Sequence, residues 1–218
     1  MSIRLSISIV VLLPAIASAQ TPLPPDINPV TLSRLPPISR NDLDAEAQRA
    51  LDARANPPSP APGPGHITVY SPKTAEGFGA VGRALGVPRG EGFPLGVRYF
   101  QLVVLITARE IDQQYEWSAH EPAGLRAGLE QSVIDVVKYN KSVAGLSEKD
   151  ATLITFGRAL FRDHKVASDL WAKMVDLFGR QRTVEIMMLM GDYFTVGNMM
   201  NAVDQHLPPE RQALLPPR

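Results

Sequence analysis

The stretch Tyr115-Glu116-Trp117-Ser118-Ala119-His120-Glu121-Pro122-Ala123 sets a carboxylate and an imidazole four residues apart inside a helical pattern. Residues i and i+4 share one helix face, so Glu116 and His120 come within hydrogen-bonding reach. A neighbouring carboxylate stabilises a charged imidazole, which poises the histidine as an acid or base near neutral pH. The same spacing also occurs on solvated helix faces, where a pair of this kind contributes only about 0.2–0.5 kcal/mol.

Outward from that stretch the pattern is helical on both sides. Pro94 suits the first turn of a helix whose apolar Phe100, Val103, Val104 and Ile106 predict that it is largely buried. Residues 113–127 form the next helix. Pro122 lacks a backbone donor and clashes with the carbonyl of Ser118, which predicts a kink or a new helix start just beyond His120. A histidine at such a helix end would have its charged form favoured by the dipole. Ser147-Glu148-Lys149-Asp150 reads as an N-cap with acids in the first turn, opening a helix through Leu153, Phe156, Leu160 and Phe161. A helix over 166–178 should stop at Gly179, and a last one over 183–203 is rich in methionine at 187, 188, 190, 199 and 200. Methionine there fills gaps in a core or a subunit interface. No segment alternates with period two, so the fold class is all-α.

The longer text, Leu95-Gly96-Val97-Arg98-Tyr99-Phe100-Gln101-Leu102-Val103-Val104-Leu105, then Glu116-Trp117-Ser118-Ala119-His120, then Ala127-Gly128-Leu129, resembles the carboxymuconolactone decarboxylase family, which includes the alkylhydroperoxidase D-like proteins. The resemblance spans roughly residues 90 to 205. Asn41-Asp42-Leu43-Asp44 with Gln48-Arg49-Ala50 looks like the N-terminal extension of some members. It implies a helical bundle that assembles as a trimer or hexamer, with sites near subunit contacts.

The resemblance also implies two chemistries. In the peroxidase branch two cysteines precede the histidine by seven and four residues; those positions are Gln113 and Glu116 here. The whole chain has no cysteine, so the C-x-x-C pair is missing and cysteine-dependent peroxidase activity, disulfides and zinc-thiolate sites are excluded. Many relatives also carry a glutamate at the position of Gln101, which can orient a ligand but cannot exchange a proton. The decarboxylase branch needs a site for substrate carboxylates and an acid that protonates carbon. His120 is the candidate acid and Glu116 its orienting partner. Arg98 and Arg109 are candidate carboxylate clamps, because a guanidinium forks onto that group. Gln101, Gln113 and Trp117 complete the candidate substrate site, although Trp117, like Tyr115, also reads as a packing residue.

Composition sets the remaining bounds. A hydrophobic content of 44% is that of a globular chain, and 22 basic against 22 acidic residues suggest neither nucleic acid nor an anionic membrane surface as partner. Residues 1–19 read as an export signal: Arg4, an apolar core at 5–16, and Ala17-Ser18-Ala19 before Gln20. The mature protein is then periplasmic or secreted, with no membrane association after cleavage. Residues 20–65 form a proline-rich arm with a short helix over 41–53, and 66–218 the helical domain. His66, His164 and His206 stand at no ligand spacing from the pair, so no metal is expected. Gly86, Gly90, Gly92 and Gly96 follow no strand and the serines lie in no nucleophile elbow, which leaves a site without a cofactor.

The expected function is therefore a cofactor-free lyase or isomerase acting on a small carboxylated or lactone-like compound by His120/Glu116 proton transfer. The alternative is a non-catalytic exported helical homo-oligomer that serves as a binding or assembly module. On the enzyme reading, His120→Ala should abolish turnover with little effect on unfolding.

Overall fold

The structure, a computed structural model, describes residues 23–53 and 61–218. The export segment 1–19 and the prolines at 57–60 lie outside the described residues. Eight α-helices follow in order: α1 (Ala45–Asp52), α2 (Pro64–Thr68), α3 (Pro72–Ala84), α4 (Gly96–Glu110), α5 (Gln114–Arg126), α6 (Gln131–Lys138), α7 (Glu148–Arg158) and α8 (Ser168–Ala202). No strand occurs among the described residues beyond an isolated antiparallel bridge between Asn28 and Ser33.

The apolar run of α4 makes it the centre of the molecule. Leu102, Val103, Val104 and Leu105 are wholly buried, and α5, α6, α7 and α8 all pack against this helix. Leu129 from the loop before α6, with Ile134, Leu153, Phe156, Ile186 and Met190 from the other helices, supplies the surrounding core. A helix apolar on every side is stable in water only when enclosed in this way. The closest crossings require glycine: a Cβ at Gly157 of α7 would collide with Ile106 of α4, and one at Gly197 of α8 with Ile111.

Local chemistry explains most boundaries. Asp44 caps α1 by accepting from the Ala47 amide, and Ser147 caps α7 by accepting from the Asp150 amide. Gly179 breaks α8 at φ 77°, as its sequence position predicts, and Thr183 donates to the freed Gly179 carbonyl at 2.8 Å. Residues 27–35 of the arm lie on the end of α8, through Arg34 N–H to Val203 O at 2.8 Å and His206 N–H to Leu32 O at 2.8 Å.

Three expectations are corrected. Pro94 precedes α4, which starts at Gly96, instead of sitting in its first turn. The helix expected through Leu160 and Phe161 loosens into a π-helical turn at Ala159–Asp163, ended by His164 in the left-handed region. Most consequentially, α5 runs through Pro122 to Arg126, so His120 lies inside a helix and its charge receives no help from a helix end. Tertiary contacts outweigh the lost donor. Gly124 lies against Gln101, Leu105 and Leu129, while Glu121 accepts from Trp117 Nε1 at 2.5 Å and pairs with Lys138 at 2.9 Å.

Because α7 meets α4 with no room for a side chain, Gly157→Ala should destabilise the fold by about 1–3 kcal/mol. Gly191, inside α8 with open space where a Cβ would stand, should instead gain about 0.5–1 kcal/mol on replacement by alanine. Urea midpoints of the two variants decide this, and shifts of the same sign would refute the close-crossing account.

Candidate active site

Three of the predicted residues are brought together by the crossing of α4 and α5. Gln101 faces α5 from the buried side of α4, and its Oε1 lies 2.7 Å from His120 Nδ1. One turn before His120, Glu116 places Oε2 at 3.2 Å from His120 Nε2. The imidazole is thus hydrogen-bonded at Nδ1 and faces a carboxylate at Nε2, with Gln101, Glu116 and His120 only 2, 6 and 7% exposed. Because an amide oxygen can only accept, Nδ1 carries the proton in this pair. Nε2 then faces the Glu116 carboxylate at ion-pair distance.

Aromatic rings enclose the pair. The Tyr193 ring meets His120 edge to face at 5.1 Å, and Phe100 stands 6.3 Å from it. Burial pushes the Tyr193 phenol well above its usual range, with the Glu116 and Asp192 carboxylates adding to the effect. Tyr193 is therefore a neutral wall, not a base.

The remaining predicted residues go elsewhere. Arg98 forks onto Asp150, with both contacts at 2.9 Å, and pairs with Glu130 as well. The Arg98 charge is locked on by Asp150 first and Glu130 second, and its donors are engaged where α4 meets α6 and α7. Arg109 lies eight residues beyond Gln101 on α4, about 12 Å along the axis. It is buried under the C-terminal tail, donating to Pro216 O at 2.8 Å and lying 3.3 Å from Asp112. Neither arginine is joined to His120. Gln113 is a helix cap: Oε1 accepts from the Tyr115 amide at 2.5 Å and the Glu116 amide at 3.3 Å, while Nε2 donates to Asn201 Oδ1 at 2.9 Å. Trp117 is fully buried in the core, tied to Glu121.

One residue was missed. Asp192 of α8, adjacent to Tyr193, is 5% exposed and its Oδ1 has no hydrogen-bond partner. Burial, then repulsion from Glu116, pushes its carboxyl up to about 6. The signal was available, since Asp192 is the sole charge between Ile186 and Val203 in a methionine-rich helix. Asp192 also lines a cavity of about 930 Å³ between α2, α3 and the second half of α8. Among the described residues no group of three or more His, Cys, Asp or Glu is placed to hold a metal ion. No described helix is long and apolar enough to cross a membrane.

Taken together, enclosed α4 and the crossing that buries its amide against an imidazole define an all-helical protein of the alkylhydroperoxidase D-like fold. No family model and no curated protein matches the chain. A solved structure does: an alkylhydroperoxidase AhpD core, an uncharacterised peroxidase-related protein from Ralstonia eutropha JMP134. The two are 17% identical with a TM-score of 0.61, over 84% of this chain and 95% of that one.

The raised Asp192 carboxyl has a defined consequence for stability. With an ordinary value of 3.8 in the unfolded chain and about 6 when folded, its favourable contribution is full below pH 3.8 and is lost as pH rises through 6. Asp192→Asn should therefore stabilise the protein at pH 8 by on the order of 2 kcal/mol, and change little at pH 4. Chemical denaturation at the two pH values reads this, and an equal effect at both would show that Asp192 is not held against ionisation.

Proposed function

We propose that this protein is a carboxymuconolactone decarboxylase-like, cofactor-free lyase or isomerase acting on a small carboxylated or lactone-like compound. The observation that carries the reading is the buried imidazole of His120, hydrogen-bonded at Nδ1 to Gln101 and facing the Glu116 carboxylate at Nε2, 3.2 Å away. A proton-transfer catalyst needs such an arrangement: one nitrogen anchored to set the ring, the other exchanging a proton with a carboxylate in a site of low water content. His120 is the acid and base; Glu116 orients it and holds its proton between steps. Gln101, which cannot titrate, acts by fixing the ring plane. The absence of cysteine leaves the thiol route closed.

Several further features belong to the proposal. Export to the periplasm or beyond rests on residues 1–19. Homo-oligomerisation gains support from Val184, Met188 and Phe194, apolar side chains of α8 that are 40–47% exposed. They also support the second reading, a helical assembly module without catalysis.

The test is spectrophotometric turnover of a panel of lactones and carboxylated muconates by the mature protein and its variants. Because His120 is buried and hydrogen-bonded to Gln101, His120→Ala would orphan that amide and cost about 1–3 kcal/mol, contrary to the small effect expected from sequence. The informative pair is therefore His120→Gln and Glu116→Gln, which retain hydrogen bonding. Each should lose about 10²–10⁴ in kcat with the fold intact by circular dichroism. Full activity in both would remove the pair from the chemistry, and no turnover of any compound would favour the assembly module.

A further inference from the structure

The cavity that Asp192 lines, apart from His120 and Glu116 themselves, has walls that select among the compounds named above. Its walls are small and apolar, with Val69 from the turn after α2, Phe78 of α3, Val87, and Val196 of α8. A volume of about 930 Å³ is that of a small-molecule site. Two side chains in this lining are more than nine-tenths buried and carry a polar atom without a hydrogen bond: Asp192 through Oδ1 and His66 through Nδ1. The other nitrogen of His66 is held 2.8 Å from Ser33 Oγ. Burial pulls the imidazole below its ordinary range, so it is neutral near pH 7. Two buried polar groups left unsatisfied in one cavity cost the fold free energy that a ligand with matching groups recovers.

The charges in the lining decide what kind of ligand that is. Glu76 and Arg83 stand on α3 and Asp192 on α8, two acids against one base. Glu116 adds a third carboxylate close enough to raise Asp192. The other candidate cations are engaged, Arg98 by Asp150 and Glu130, and Arg109 by Pro216 and Asp112. A ligand carboxylate beside buried Asp192 would face like charge, because the one guanidinium of the lining, Arg83, is exposed to solvent. A hydroxyl there would donate to Asp192 and meet no repulsion.

We infer that this cavity seats a small, apolar-bodied, electrically neutral molecule that presents a hydroxyl to Asp192, and that carboxylated compounds are rejected there. The inference rests on the proton-transfer reading only in taking that molecule for the substrate. It favours isomerisation over decarboxylation, since decarboxylation requires a carboxylate to leave as carbon dioxide. An isomerisation breaks one C–H bond and makes another, the proton passing by way of His120, and consumes no oxidant or co-reactant.

A matched pair of probes isolates the charge: 4-hydroxyacetophenone and 4-hydroxybenzoate share the ring and hydroxyl and differ in whether the second group is ionised. Calorimetric titration of the mature protein at pH 7, where Asp192 is mostly charged and both phenols are largely protonated, should show the ketone binding at least about tenfold more tightly. In Asp192→Asn that preference should fall to within about threefold, because the like charge is gone. Filling the cavity with Val196→Trp should abolish binding of both, with the fold verified by circular dichroism. Equal or tighter binding of the benzoate, an unchanged preference in Asp192→Asn, or no saturation by either probe at millimolar concentration would overturn the inference. Probe binding that survives intact in a protein that turns over no substrate would sink the proton-transfer reading and leave the seat standing.

Discussion

The hydrogen bond between Gln101 and His120 is the constraint on which the rest of the site depends. A helix as enclosed as α4 has no water to offer its one central amide, and an unsatisfied buried amide is costly. The partner must come from another helix, and it is His120 of α5 at 2.7 Å. That contact fixes the rotation of α5 about its own axis. Once α5 is so turned, Glu116 one turn earlier falls beneath the other ring nitrogen, and Trp117 on the adjoining face drives into the core. One buried amide thus sets both the geometry of the His120–Glu116 pair and the packing of the helix that carries it.

Electrostatics then separates the site into two zones. Around α4, α6 and α7 the charges are paired: Arg98 with Asp150, Arg162 with Glu110, and Lys138 with Glu121. Near the cavity they are not, and Asp192 stands in the wall with an oxygen that nothing satisfies. Unpaired burial of this kind opposes stability and persists where the group has another use. The arginines that sequence reasoning selected for substrate are the ones the fold consumes, Arg98 by the buried Asp150 and Arg109 by the Pro216 carbonyl and Asp112.

The all-α class, the burial of α4, the caps at Asp44 and Ser147 and the break at Gly179 were legible because each follows from residue chemistry within a few positions. Glu116 and His120 were legible for the same reason, being one turn apart. Gln101 could be named but not understood: as a neutral replacement it looked like a loss of function, whereas its position makes it the anchor of the histidine. Asp192 lies 72 residues beyond His120, and only the packing of α8 across α4 brings them into one neighbourhood. Pro122 misled in the opposite direction. Its local effect is real, yet the contacts of Gly124, Glu121 and Lys138 keep the helix continuous at a cost that propensity alone does not reveal.

The position of Gln113 shows how one side chain makes the corner between α4 and α5 rigid. The fold needs the loop between α4 and α5 to turn sharply, with Asp112 in the left-handed region and the first amides of α5 unsatisfied. Gln113 meets that need by capping Tyr115 and Glu116 with Oε1, while its amide nitrogen reaches Asn201 on α8. A cysteine there could neither accept both bonds at these lengths nor span to α8. Where a thiol would have made this corner reactive, the glutamine makes it rigid. It thereby holds the first turn of α5, and with it Glu116, at fixed distance from the end of α8 that carries the cavity wall. His120 then stands one turn further along α5 than Glu116, in the same neighbourhood as the buried Asp192 that α8 supplies.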